Sequence, residues 1–246
     1  MTPTTRRLSR AFDADANDDD AHARVGGRER AAVLVALIER EGDDDDDDDD
    51  ETTNRWAFDV ILCVRAEGMR AHAGEVALPG GKREREDACD AETAMREAEE
   101  EIGLRARDVE KAGTLPAALS RGSVSVRPVV GVVRRGRFDA GKDAVLSEEE
   151  VSEVFTAPLE MFLEAKGHGF DDWAWPGAPR AIRVHYFRYE GKTIWGLTAT
   201  ILIEVARRVF GREPEFQTGT DEGVTVWDVA ERDGKTFVGV APRSML

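Results

Sequence analysis

Cysteine is nearly absent from this chain: Cys63 and Cys89 are the only two among 246 residues. Two thiols build neither a disulfide framework nor a cysteine metal cluster, and they suggest a reducing compartment. No apolar run approaches the roughly 18 residues needed to span a bilayer. The first one, Ala31 to Ile38, is short and preceded by polar sequence, so it is not read as a secretory signal. Positive charge is also in deficit, with 34 basic against 50 acidic residues and a formal net charge of −16. That balance argues against a general nucleic-acid binder, while leaving room for a locally basic pocket around an anionic substrate. No internal repeat is visible.

Half of the negative excess comes from one run, Asp43 to Asp50. It reads as a solvated, self-repelling loop, within an insertion at 41–54, between two buried strands. Those strands are Ala31–Ile38 and Phe58–Val64, each apolar and β-prone. Residues 1–28 are polar and aperiodic, and are expected to form a disordered leader. Residues 65–89 read as loop. A helix is expected over Asp90–Ile102, with Asp90 as N-cap and Gly103 as the stop. Ser123–Val133 is β-prone, Val154–Phe155 leads into a short helix near Pro158, and Ile182–Tyr189 reads as a strand turning at Gly191. Ile194, Leu197, Ile201, Leu202, Val205 and Val209 recur at helical spacing, which makes that segment a core helix. A last hairpin is expected around Val224–Trp227 and Phe237–Val240. The length suits one domain over 29–215, with a C-terminal extension over 216–246. Strands and helices without regular alternation make it a compact α/β or α+β domain.

The chemistry concentrates in Leu78-Pro-Gly-Gly81 and in Thr93 to Leu104. Glu97, Glu100 and Glu101 stand at i, i+3 and i+4, so their carboxylates share one helix face. Ala91, Ala94, Met95, Ala98 and Ile102 form the adjoining apolar face. Like charges this close destabilise a helix, and hard cations such as Mg²⁺ or Mn²⁺ would relieve the repulsion. Arg96, four residues before Glu100, can brace it. Gly80 and Gly81 allow close backbone approach, offering a carbonyl ligand or phosphate-facing amides. Acidic helix faces are usually just solvated; the surrounding residues argue otherwise. Such a set suits pyrophosphate cleavage, in which bound metals hold the bridging phosphates and a carboxylate activates water.

The segment resembles the Nudix box, the loop–helix–loop signature of hydrolases that split nucleoside diphosphates linked to another group. Gly81, Arg96, Glu97, Glu100, Glu101 and Gly103 fall on its positions. One extra residue between Gly81 and Arg96, and Asp87 where the box usually has Glu, resemble the coenzyme A branch. Upstream, Ile61-Leu-Cys-Val-Arg65-Ala66, Arg70, Gly74 and Leu78-Pro-Gly-Gly81 resemble the motif before the box in CoA pyrophosphatases, with Cys63 replacing a hydroxyl residue and Leu78 a Phe. The likeness continues to about residue 215, in the manner of plant CoA-type enzymes.

The resemblance implies a Nudix fold, a mixed β-sheet sandwiched between helices. It implies Glu97, Glu100, Glu101 and Gly81 as ligands for Mg²⁺ or Mn²⁺, with Glu97 doubling as a base. Arg65, Arg70, Gly80 and Gly81 would bind substrate, and Glu150 is a further candidate acid. The implied substrate is CoA or acyl-CoA, split into adenosine 3′,5′-bisphosphate and (acyl-)4′-phosphopantetheine. ADP-ribose, NADH or a CoA-capped RNA are alternatives, as is an inactive binding module. His72 and His185 are expected to be structural hydrogen-bonders and His168 to be exposed. Ser244-Met245-Leu246 resembles a relaxed peroxisomal address read by an import receptor. Arg6, Arg7 and Arg10 would suit a mitochondrial or plastid transit peptide, but Asp13, Asp15 and Asp18 to Asp20 count against it. A cytosolic location stays open.

Overall fold

The computed structural model describes residues 1–12, 22, 29–40, 57–120, 124–173 and 181–220. Its spine is strand β1 (Glu29–Glu39), which runs parallel to β7 (Val124–Val133) from Glu29↔Val124 to Leu37↔Val132. On its other edge β1 has two partners. Leu37 to Glu39 pair with β2 (Phe58–Arg65), whereas Ala31 to Val33 pair with β4 (Gly80–Lys82). Between them the Leu34 amide donates to the Pro79 carbonyl at 2.8 Å. β3 (Val76–Ala77) and β8 (Val151–Pro158) flank β2, while β5 (Val109–Thr114) and β6 (Ala118–Leu119) pair with β7, closing an eight-stranded mixed sheet.

Strand β1 reads as an unbroken apolar run because both of its faces are covered. Ala32, Leu34 and Ala36 pack with Ala94, Ala98 and Ile102 of helix α2 (Asp90–Ile102). Val35 and Leu37 point the other way, into a cluster with Ile201, Leu202 and Val205 of helix α3 (Gly196–Phe210). The expected architecture, a mixed sheet between helices, is the observed one. A second sheet, β9 (His168–Trp173), β10 (Ile182–Tyr189) and β11 (Lys192–Trp195), is antiparallel and sends Phe187 and Ile194 into the α3 cluster.

Several local expectations are corrected. Residues 3–8 of the leader form helix α1 (Pro3–Leu8), because Leu8 and Phe12 bury their side chains in the α3 cluster and Glu110 accepts from the Thr2 amide at 2.6 Å and the Thr5 hydroxyl at 2.9 Å. Asp90 is not the N-cap of α2; Cys89 holds that place in extended conformation, and Asp90 is fully buried. Ile194 belongs to β11, paired with Phe187, so the last helix begins at Gly196. An apolar residue at a strand–helix junction fits both periodicities, and pairing with β10 decides. The stretch 65–89 contains β3 and β4 within its loops. His168 is half-buried, stacked on Phe216 at 3.6 Å between ring centroids, because β10 places His185 and Phe187 beside it. His185 and His72 are structural hydrogen-bonders as expected, to the Thr218 carbonyl and the Glu75 carboxylate. The acidic run, the hairpin expected after Val224 and the terminal Ser244-Met245-Leu246 lie outside the described residues.

Candidate functional site

Helix α2 lays its Ala94–Ala98–Ile102 stripe on the sheet and ends at Gly103, whose left-handed φ of 76° lets the next amide, that of Leu104, turn back to the Ala98 carbonyl at 3.2 Å. The carboxylate face is thereby turned toward β4. There the Gly80 amide donates to Glu101 Oε2 at 2.9 Å. Gly80 has φ +150°, and a Cβ there would lie 2.4 Å from the Ala32 carbonyl oxygen, so only glycine lets β4 run this close to β1. At Gly81 a Cβ would lie 2.5 Å from a Glu97 carboxylate oxygen, which puts that carboxylate directly over the glycine backbone.

One residue organises the cluster. Arg96 Nε and Nη2 donate to the two oxygens of Asp87, each at 3.0 Å; Nη1 donates to Glu100 at 2.9 Å, and Nη2 also reaches Glu97 and the Lys82 carbonyl, both at 3.1 Å. Asp87 further accepts from the Glu84 amide at 2.9 Å and the Thr93 hydroxyl at 3.0 Å. Hydrogen bonding to Arg96 above all, with the other donors, holds the Asp87 carboxyl down at about 2.

The acids facing β4 behave oppositely. Burial pushes Glu101 up to about 7, and the charges of Glu97 and Glu150 add to it against the Gly80 amide and Arg65. Burial also raises Glu97, opposed chiefly by Arg96, with Glu100 and Glu150 adding to the rise. Glu150, on the turn before β8, therefore belongs to the same electrostatic cluster. Arg65 Nη1 stands 4.0 Å from Glu101. Arg70 is exposed in the loop after β2, and no described contact joins it to the carboxylates.

These donors are anionic oxygens with neither imidazole nor thiolate among them, a set that fits Mg²⁺ or Mn²⁺. Mutual repulsion of buried carboxylates is the physical mark of a cation site, because a divalent ion favours their charged forms. Among the described residues no three such groups surround one point in this conformation. Glu97 and Glu100 are turned to Arg96, and Glu101 to Gly80, so an ion would compete with Arg96 for the first two.

The structure thus brings together Glu97, Glu101, Glu150, Gly80, Gly81, Arg65 and Arg96, leaves Glu100 on the solvent side of Arg96, and sets Arg70 apart. Sequence reasoning missed the anchoring role of Asp87, whose two-pronged ion pair is nine residues away along the chain. It also missed a buried network in which His22 Nε2 meets Asp90 Oδ2 at 2.9 Å and Nδ1 meets Ser125 Oγ at 2.7 Å. Asp90 carried a signal, as an acid opening a helix; His22, in polar aperiodic sequence, carried none.

Comparison with known proteins gives a match to the NUDIX domain over residues 28–181. "Nudix hydrolase 15, mitochondrial" of Arabidopsis thaliana is 41% identical over 193 residues, covering 76% of this chain and 61% of that protein. "Nudix hydrolase 22, chloroplastic" of the same plant is 40% identical, covering 76% and 58%. "Peroxisomal coenzyme A diphosphatase ndx-8" of Caenorhabditis elegans is 37% identical over 163 residues, 64% of each chain. The match therefore spans less than two thirds of each of these relatives.

Proposed function

The chain belongs to the Nudix family, and from that premise we propose that it hydrolyses the pyrophosphate bond of CoA or acyl-CoA. The observation that carries this reading is the meeting of Glu97, Glu101 and Glu150 with Arg65 at the Gly80–Gly81 turn. Glu97, Glu100, Glu101 and the Gly81 carbonyl would hold Mg²⁺ or Mn²⁺, which supplies positive charge to the bridging phosphates when bound. Glu97, beside the backbone of Gly81, accepts the proton of the attacking water. The water oxygen bonds to one phosphorus as the bridging P–O bond breaks, giving adenosine 3′,5′-bisphosphate and (acyl-)4′-phosphopantetheine. Arg96 holds the carboxylates in place through Asp87, while Arg65 and Arg70 bind phosphate oxygens.

The CoA assignment is supported by the Arg65–Arg70 motif and by the printed name of the nematode relative. Rival substrates are ADP-ribose, NADH and a CoA-capped RNA. An inactive binding module is disfavoured because Glu97, Glu100 and Glu101 are all present. The catalytic unit is proposed as 29–215. Peroxisomal import through Ser244-Met245-Leu246 is proposed on the tripeptide alone, since the relatives' names print three different compartments. Mass spectrometry of products from CoA, acetyl-CoA, ADP-ribose, NADH and nucleoside triphosphates, with Mg²⁺ or Mn²⁺, tests the reading. Fastest release of 4′-phosphopantetheine species upholds it; a faster rival substrate replaces CoA and removes the role given to Arg65 and Arg70.

A further inference from the structure

Asp90, the first residue of α2, carries a carboxylate with no exposed surface, and His22 and Ser125 beside it are 3% and 0% exposed. His22 Nε2 contacts Asp90 Oδ2 at 2.9 Å while Nδ1 contacts Ser125 Oγ at 2.7 Å. A carboxylate only accepts, so Nε2 carries a proton toward Asp90. Ser125 lies in β7, paired with Arg30 of β1, the strand against which β4 holds Gly80 and Gly81. His22 therefore links the start of α2 to the sheet that carries the glycine turn.

Helical geometry gives this link a direction. Seven and eleven residues separate Asp90 from Glu97 and Glu101; at about 100° per residue both fall within about 20° of its azimuth. A rotation of α2 that moves Asp90 turns Glu97 and Glu101 away from Gly81 and Gly80 by the same angle. The Asp87–Arg96 pair braces the helix from the loop side, and Arg83 approaches Asp90 at 3.5 Å; from the sheet side His22 holds its first turn, beyond the Ala94–Ala98–Ile102 stripe that packs on β1. We infer that His22, through its bond to Asp90, is a positioning residue that sets the rotation of α2 and hence the placement of Glu97 and Glu101. This rests on those carboxylates being the catalytic groups.

The two ring nitrogens can be tested separately in the full-length chain. His22→Gln places an amide nitrogen where Nε2 was and keeps a donor to Asp90; His22→Asn mimics Nδ1 and keeps only the Ser125 side. Steady-state kinetics are measured on the best substrate found, and hydrogen–deuterium exchange on the 90–97 amides. His22→Asn is expected to lower kcat about tenfold or more, with KM within about twofold, and to speed exchange in 90–97. His22→Gln is expected to stay near the parent protein in both readouts. Equal behaviour of Gln and Asn, or faster exchange without a kcat loss, overturns the inference. If His22→Ala does not fold, the Gln–Asn contrast still decides. If the parent protein cleaves none of the substrates, the pyrophosphatase reading fails, and the exchange contrast alone decides whether His22 sets α2.

Discussion

Arg96 and Asp87 form a two-pronged ion pair, Nε to Oδ1 and Nη2 to Oδ2 at 3.0 Å each, that ties the carboxylate helix to the loop before it. Asp87 is buried, and replacing its carboxylate removes both of Arg96's bonds to it and leaves an amide nitrogen facing donors that the carboxylate accepted from. Asp87→Asn is expected to lower stability by about 2–4 kcal/mol, measured by urea unfolding. The acid limb of the same pair follows from its lowered pKa. Stability from Asp87 is fully present above its unfolded value near 3.8 and is lost as pH falls toward about 2. Asp87→Asn should therefore flatten that part of the pH–stability curve.

Glu101→Gln keeps an oxygen able to accept from Gly80 but removes the negative charge. The melting temperature should be unchanged or higher, since a buried, repelled carboxylate is neutralised. Turnover should fall on the order of 10²–10³-fold in Mg²⁺-saturated assays. Near-normal rates at saturating Mg²⁺ would mean that Glu101 is not a ligand.

The paired glycines should separate stability from chemistry. Gly80→Ala drives a Cβ to within 2.4 Å of the Ala32 carbonyl at a strained φ, and is expected to cost about 3 kcal/mol or more by thermal unfolding. Gly81→Ala meets only the far end of the Glu97 side chain, which can swing aside. Its stability loss should stay within about 1 kcal/mol while kcat drops, because Glu97 is displaced.

Arg70 is exposed and makes no described contact with the carboxylates, so its removal should leave the fold and kcat largely intact. Arg70→Ala is expected to raise KM for CoA more than for ADP-ribose. Equal increases would show that Arg70 does not read the CoA-specific part of the substrate.

His168 and His185 share a hydrogen bond of 2.9 Å, and burial lowers the pKa of both, His168 down to about 4, with electrostatic repulsion from His185 and Arg183 adding. Their folded pKa values lie below the unfolded value near 6.5, so the unfolded chain takes up more protons as pH falls. Stability from this pair is complete above about pH 6.5 and is lost progressively toward pH 4. Calorimetry should show a melting temperature falling across that window, and the fall should lessen in His168→Phe, which keeps the stack on Phe216 without a titrating ring.

The sequence by itself determined the site's ingredients and the elements that carry them. The i, i+3, i+4 spacing of Glu97, Glu100 and Glu101 is a local property of one helix, and the apolar runs of β1 and β2 and the β-prone, aromatic sequence of β10 specify strands whatever they pair with. Gly103 likewise announces its helix stop through backbone freedom alone. Tertiary structure decided what local pattern cannot encode. Ile194 fits a helix or a strand by spacing, and pairing with Phe187 makes it strand. Residues 3–8 and His22 sit in polar sequence that resembles a leader, yet Leu8, Phe12 and His22 find buried partners far along the chain. Which carboxylate is buried, which is braced by Arg96, and that Glu150 joins them all depend on β4 and β8 being brought to α2 across the sheet. Burial and charge proximity are sums over distant segments, and no window of local sequence contains them.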